Sequence, residues 1–100
     1  MARLTEFDVT WTEHASESLH RRRISELDVL DLFAGPHKVF IDERDENARY
    51  VIGPDRSGRL ITIVIGLPNA ENESVRVITG WQSSSGETTV YSRPGGTDYV

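Results

Sequence analysis

Between Gly58 and Tyr91 the chain reads as a tight turn, two long β-strands and a short polar segment. Pro54-Asp55-Arg56-Ser57-Gly58 is rich in turn residues, so Arg49–Gly53 and Arg59–Gly66 are expected to pair as a hairpin. A loop over Leu67–Glu73 leads to a further strand over Ser74–Trp81, and that strand carries Arg76 in its middle. A guanidinium within an apolar strand costs solvation unless an anion meets it. Alternation places Ser74, Arg76, Ile78 and Gly80 on one face and Val75, Val77, Thr79 and Trp81 on the other, the second set reading as the core face. Arg76 is then expected to project away from the core, toward solvent or a shallow cleft. That makes it a candidate phosphate contact, against the plainer readings of a solvated arginine or one paired with a neighbouring carboxylate.

The N-terminal part supplies one strand and two helices. Phe7–Trp11 alternates and is rich in β-formers. Thr12 can cap the following helix, with Trp11, Ala15 and Leu19 four apart as a narrow apolar stripe and Arg21-Arg22-Arg23 at its negative end. Ser25-Glu26-Leu27-Asp28 resembles a capping box, after which Leu27, Leu30 and Ala34, with Val29 and Phe33, recur at helical spacing. Gly35-Pro36 is expected to stop that helix, the glycine allowing a left-handed exit. Lys38–Asp42 and Arg49–Gly53 are the next strands, joined by an acidic loop.

After Trp81 two readings stay open. Gln82–Gly86 is a loop or the capped start of a short C-terminal helix, while Glu87-Thr88-Thr89-Val90-Tyr91 favours a strand by propensity. The expected fold is α+β: an antiparallel β-sheet meander with two N-terminal helices packed on one face. Residues 1–92 form a single domain in this reading, and 93–100 a flexible tail.

Composition narrows the function classes. One hundred residues suffice for one core. The absence of cysteine excludes disulfides, thiol catalysis and cysteine zinc sites. His14, His20 and His37 have no recognised metal-ligand spacing, so neither metal nor cofactor is expected. No apolar run approaches the length of a membrane span and the start has no signal-peptide pattern, so a cytoplasmic location is the default. The net charge of −5 disfavours a broad nucleic-acid-binding face, yet leaves room for a local basic pocket. Singly, the candidates are weak: His14 and His20 can exchange protons near neutral pH but are ordinary on a helix surface. Glu87 and Tyr91 share a face only if their segment is helical.

In order, these pieces resemble the BrnT family of toxins, of the RelE-like ribonuclease group of type II toxin–antitoxin systems. The resemblance runs from about Phe7 to Tyr91. Arg22-Arg23-Ile24-Ser25-Glu26-Leu27-Asp28-Val29 resembles the family's lysine-histidine-glycine stretch and the helix after it, with arginines in place of the lysine-histidine pair. Arg49, Gly53 and Gly58-Arg59-Leu60 resemble its hairpin, and Val75-Arg76-Val77-Ile78-Thr79 its arginine-isoleucine-isoleucine-serine strand. Glu87 and Tyr91 fall where its terminal glutamate and tyrosine stand, although Trp81 and Thr88 occupy arginine positions.

The resemblance implies metal-free RNA cleavage by attack of a ribose 2′-hydroxyl on the adjacent phosphate. It implies catalytic roles for Arg76 and Arg59, with His14, His20, Glu87 and Tyr91 competing for proton transfer. RNA contacts are implied at Arg22, Arg23, His20 and Arg49. The implied partners are RNA, including ribosome-associated mRNA, and a cognate antitoxin. A non-catalytic protein-interaction module on the same fold is the alternative, favoured by the missing histidine, the missing second arginine and the acidic net charge.

Overall fold

The computed structural model describes residues 2–69 and 71–100; Met1, and Ala70 within the loop expected over 67–73, lie outside the described residues. The fold is α+β, with β1 (Asp8–Trp11), α1 (Glu13–Arg21), α2 (Glu26–Ala34), β2 (Lys38–Ile41), β3 (Ala48–Pro54), β4 (Leu60–Gly66), β5 (Ser74–Gln82) and α3 (Ser85–Ser92). The five strands make one sheet in the order β1-β5-β4-β3-β2. β2 to β5 form the expected antiparallel meander. β1 departs from it: it pairs parallel to β5, so the sheet is mixed rather than wholly antiparallel. The physical reason is the long return through two helices and three strands, which frees β1 to take either direction at the edge.

Both N-terminal helices start where side-chain chemistry dictates. The Thr12 hydroxyl accepts from the Ala15 N–H at 2.9 Å. Ser25 and Asp28 form a reciprocal capping box, at 3.0 and 2.9 Å. Ala15 and Leu19 of α1 and Val29, Leu32 and Phe33 of α2 are buried in one cluster with Ile61, Ile63, Ile65, Val75 and Val77. The apolar stripe of α2 is therefore turned from the expected one, since Leu27 and Leu30 stay exposed while Leu32 goes inside. Gly35 also differs: its φ of −99° is not left-handed, and its N–H closes the helix on the Asp31 carbonyl at 2.8 Å.

A bulge in β5 changes what each face carries. Val64 is opposite Thr79 while Ile65 is opposite Val77, so Ile78 is an extra residue. Beyond it the alternation inverts. Gly80, expected on the outer face, meets the core opposite Ile63, and Trp81, expected in the core, stands opposite Thr62 on the other face. A Cβ at Gly80 would lie 2.5 Å from Ile63 Cδ1 and 2.9 Å from Leu19 Cδ2, so glycine is what lets α1 pack down on the sheet. Gly80→Ala is expected to cost about 2 kcal/mol by overpacking and to lower Tm by roughly 8–16 °C in a domain this size. Thermal unfolding followed by circular dichroism checks this, and an unchanged Tm contradicts it.

The segment over 87–91 is a helix, not the strand that propensity favoured. Ser84 and Glu87 form a capping box, and the Glu87 carboxylate accepts from the Ser84 N–H at 2.7 Å and from Trp81 Nε1 at 2.9 Å. These local bonds override the threonine-rich composition. Trp81 lies across from Tyr50, with ring centroids 6.0 Å apart and edge to face, so α3 sits on the sheet face opposite α1 and α2. The following residues return along the β2 edge, where Thr97 bridges Val39, and Tyr99 bridges Arg3. No helix among the described residues is long and apolar enough to cross a membrane.

Candidate functional site

Arg76 points away from the α1–α2 core and is exposed, as the alternation before the bulge requires. It is level with Thr10 of β1 and makes no salt bridge or hydrogen bond among the described residues. Beside it lies an open concavity of about 460 Å³ lined by Thr10, Asn47, Asn69, Asn72 and Ser74, with no acidic side chain in the lining. The Asn69 carboxamide oxygen accepts from the Glu71 N–H at 2.9 Å and the Asn72 oxygen from the Ser74 hydroxyl at 2.6 Å. That leaves both amide NH2 groups as donors on residues that line the same concavity as Arg76. Such a set suits an anion with several acceptor oxygens.

The other expected site residues are not gathered around it. Arg59 precedes β4 at the end where Ile61 faces Gln82, whereas Arg76 lies level with Gly66 at the other end, roughly 20 Å along the strand. Its guanidinium is also committed, with Nε 2.9 Å from Asp55 Oδ2 and a terminal nitrogen donating to the Arg23 carbonyl at 3.0 Å. Arg22 staples α1 to β5, donating to the Ser18 hydroxyl at 2.7 Å and the Gly80 carbonyl at 2.8 Å. Arg49 closes its own loop on the carbonyls of Glu46 and Ala48, at 2.8 and 2.9 Å. His20 and Arg23 do meet, in a shallow hollow of about 290 Å³ with Asp28 on its rim. His14 is exposed on the first turn of α1. Arg23 holds a left-handed φ of 58°, which accounts for the sharp corner between the helices.

Glu87 and Tyr91 share a face of α3, but each has a structural task. Glu87 holds Trp81 and the helix start, and Lys38 Nζ sits 5.4 Å above the Tyr91 ring while donating to the carbonyls of Tyr91 and Arg93 at 2.7 Å each. Among the described residues, the lining of the concavity beside Arg76 thus contains no His, Asp, Glu or Tyr. It can neutralise charge and orient an anion; it has no proton-transfer group of its own. The three asparagines were missed by sequence reasoning, although Asn69 and Asn72 in the loop before an arginine-bearing strand are the signal that could have found them. Among the described residues no group of three or more His, Asp or Glu side chains is placed to hold a metal ion.

The Asp55 carboxyl titrates below its ordinary range. Burial by itself pushes its pKa up, but hydrogen bonds from the side chains and backbone N–H groups of Ser57 and Arg59 outweigh this and hold it below the ordinary range.

Residues 11–82 match the family model described as "Domain of unknown function (DUF4258)". The chain belongs to the DUF4258 family. A search of curated proteins returns no match. The DUF4258 match runs from the end of β1 to the end of β5, and so takes in Arg76, Asn47, Asn69 and Asn72 and stops short of α3.

Proposed function

We propose that this DUF4258 chain is the toxin of a type II toxin–antitoxin pair, a cytoplasmic protein that cleaves RNA without a metal ion and is neutralised by a cognate antitoxin. The observation that supports it is Arg76, an exposed guanidinium without a partner among the described residues, beside a non-acidic, asparagine-lined concavity. In this reading Arg76 and the amide donors hold the non-bridging oxygens of one phosphodiester. The neighbouring 2′-hydroxyl oxygen attacks the phosphorus and the 5′-oxygen leaves, giving a 2′,3′-cyclic phosphate and a 5′-hydroxyl. Arg76 stabilises the extra negative charge of the pentacoordinate state, the largest effect a site of this composition supplies. The 2′-hydroxyl proton passes to water, and the leaving oxygen takes one from water, because the described lining holds no His, Asp, Glu or Tyr to exchange them. Cutting is accordingly slow, and RNA is held chiefly by its phosphates.

A specific observation favours a second reading, a non-catalytic interaction module. Glu87 is engaged by Trp81 and Ser84, and roughly 15 Å of strand separates Trp81 from Arg76. Growth of a bacterial host separates the two. Expression of the chain is expected to arrest growth, co-expression of the small protein encoded beside it to restore growth, and the Arg76→Ala chain to accumulate without harm. Undisturbed growth in cells that hold folded wild-type protein contradicts the toxin reading.

A further inference from the structure

The sheet face that carries Arg76 has a second concavity at its other side, with opposite electrostatics. It measures about 440 Å³ and runs between α3 and the β2 edge. Phe40, Tyr50 and the buried Ile52 form its floor, and Val90 of α3, 43% exposed, forms one wall. Asp42, Glu43 and Glu87 stand around it, against the single guanidinium of Arg44. The tail covers only part of the adjoining edge. Val39 exchanges its outward backbone bonds with Thr97, so by alternation Ile41 also directs its N–H and carbonyl outward, and its side chain is 67% exposed. An open edge, an apolar floor and an acidic rim together describe a seat for a chain segment.

The geometry points to this groove as the docking site for a partner protein's amphipathic segment, one whose bulky apolar residues are flanked by lysine or arginine. The apolar residues fill the space over Phe40, Tyr50 and Ile52, and the flanking cations meet Asp42, Glu43 and Glu87. Charge complementarity selects that occupant over RNA, whose phosphates the three carboxylates repel. The groove is separate from the Arg76 concavity, and the inference stands whether or not the chain cuts RNA.

Fluorescence anisotropy with a fluorescein-labelled amphipathic peptide of leucine and lysine tests it, with a labelled leucine–glutamate peptide and a labelled single-stranded RNA each titrated separately. The leucine–lysine peptide is expected to bind, the leucine–glutamate peptide not to bind, and any RNA binding to be unchanged by Val90→Asp. Asp42→Lys/Glu43→Lys should weaken binding about tenfold or more. Glu17→Lys/Glu26→Lys makes the same change in net charge on the helices of the opposite face, and is expected to change binding less than about twofold. Val90→Asp, at an exposed helix position, should weaken binding about tenfold with the acidic rim intact. Equal weakening by both lysine pairs, no effect of Val90→Asp on the leucine–lysine peptide, binding of the leucine–glutamate peptide, or loss of RNA binding in Val90→Asp overturns the proposal.

Discussion

Replacing Asp55 with alanine is expected to destabilise the fold by about 3 kcal/mol, because several hydrogen bonds to one ionised, little-exposed carboxylate are lost together. Its side chain is 5% exposed and accepts four hydrogen bonds: from the Ser57 N–H and hydroxyl at 2.9 and 2.8 Å, and from the Arg59 N–H and Nε at 2.9 Å each. Without it the β3–β4 turn loses its side-chain organiser, and the Arg59 guanidinium, 27% exposed, keeps its bond to the Arg23 carbonyl alone. The link from that turn to the α1–α2 corner weakens with it. A loss of this size lowers Tm by roughly 12–24 °C in a domain of this length. The pH dependence follows from the lowered carboxyl. A carboxyl whose folded pKa lies below its ordinary 3.8 contributes stability that is complete above that value and disappears as pH falls through the folded one. Wild type should therefore lose stability below about pH 4, and Asp55→Asn should flatten that acid limb. Urea titrations between neutrality and acid pH measure both, and a variant with an unchanged acid limb contradicts the role given to Asp55.

The second large effect belongs to Arg76 and leaves stability alone. Arg76→Ala removes an exposed side chain that makes no hydrogen bond among the described residues, so unfolding should shift by no more than about 0.5 kcal/mol. RNA handling should change far more. If the guanidinium holds one phosphate, the slope of log affinity against log salt should shrink by about 0.7, the value for one contact on a single strand. Loss of the charge stabilisation in the pentacoordinate state should slow cleavage by about 100-fold or more. Arg59→Ala is the contrasting variant: it should lower Tm through Asp55 while leaving the salt slope of the folded protein unchanged. The opposite pattern would exchange the roles of the two arginines.

Much of the fold was legible because local chemistry and tertiary packing agree there. Thr12, the Ser25–Asp28 box and the turn over Pro54–Gly58 announce themselves through side-chain oxygens and turn residues, and the structure uses each of them. Illegible features were those decided at a distance. The parallel pairing of β1 depends on which edge is open after the meander has formed. The extra residue at Ile78 leaves no mark in an alternating apolar strand, yet it exchanges the faces of Gly80 and Trp81. Placing Trp81 outside then provides the indole that holds Glu87, which turns a threonine-rich segment into α3.

The site was legible in part, and for similar reasons. Strand alternation found the outward direction of Arg76. It did not show that Arg22, Arg49 and Arg59 are bound to carbonyls, hydroxyls and Asp55, because those partners come from elsewhere in the chain or from backbone atoms that carry no sequence signal. Charge alone made these arginines look alike. Their hydrogen bonds separate these three structural arginines from Arg76, whose side chain makes none among the described residues.

Metal-free cleavage at Arg76 is tested by incubating a 5′-labelled single-stranded RNA with the purified chain in EDTA and identifying the product ends. Slow cleavage to fragments ending in 2′,3′-cyclic phosphate is expected, lost in Arg76→Ala and kept in Val90→Asp. RNA that stays intact with folded wild-type protein, or that is cut equally by Arg76→Ala, would contradict it.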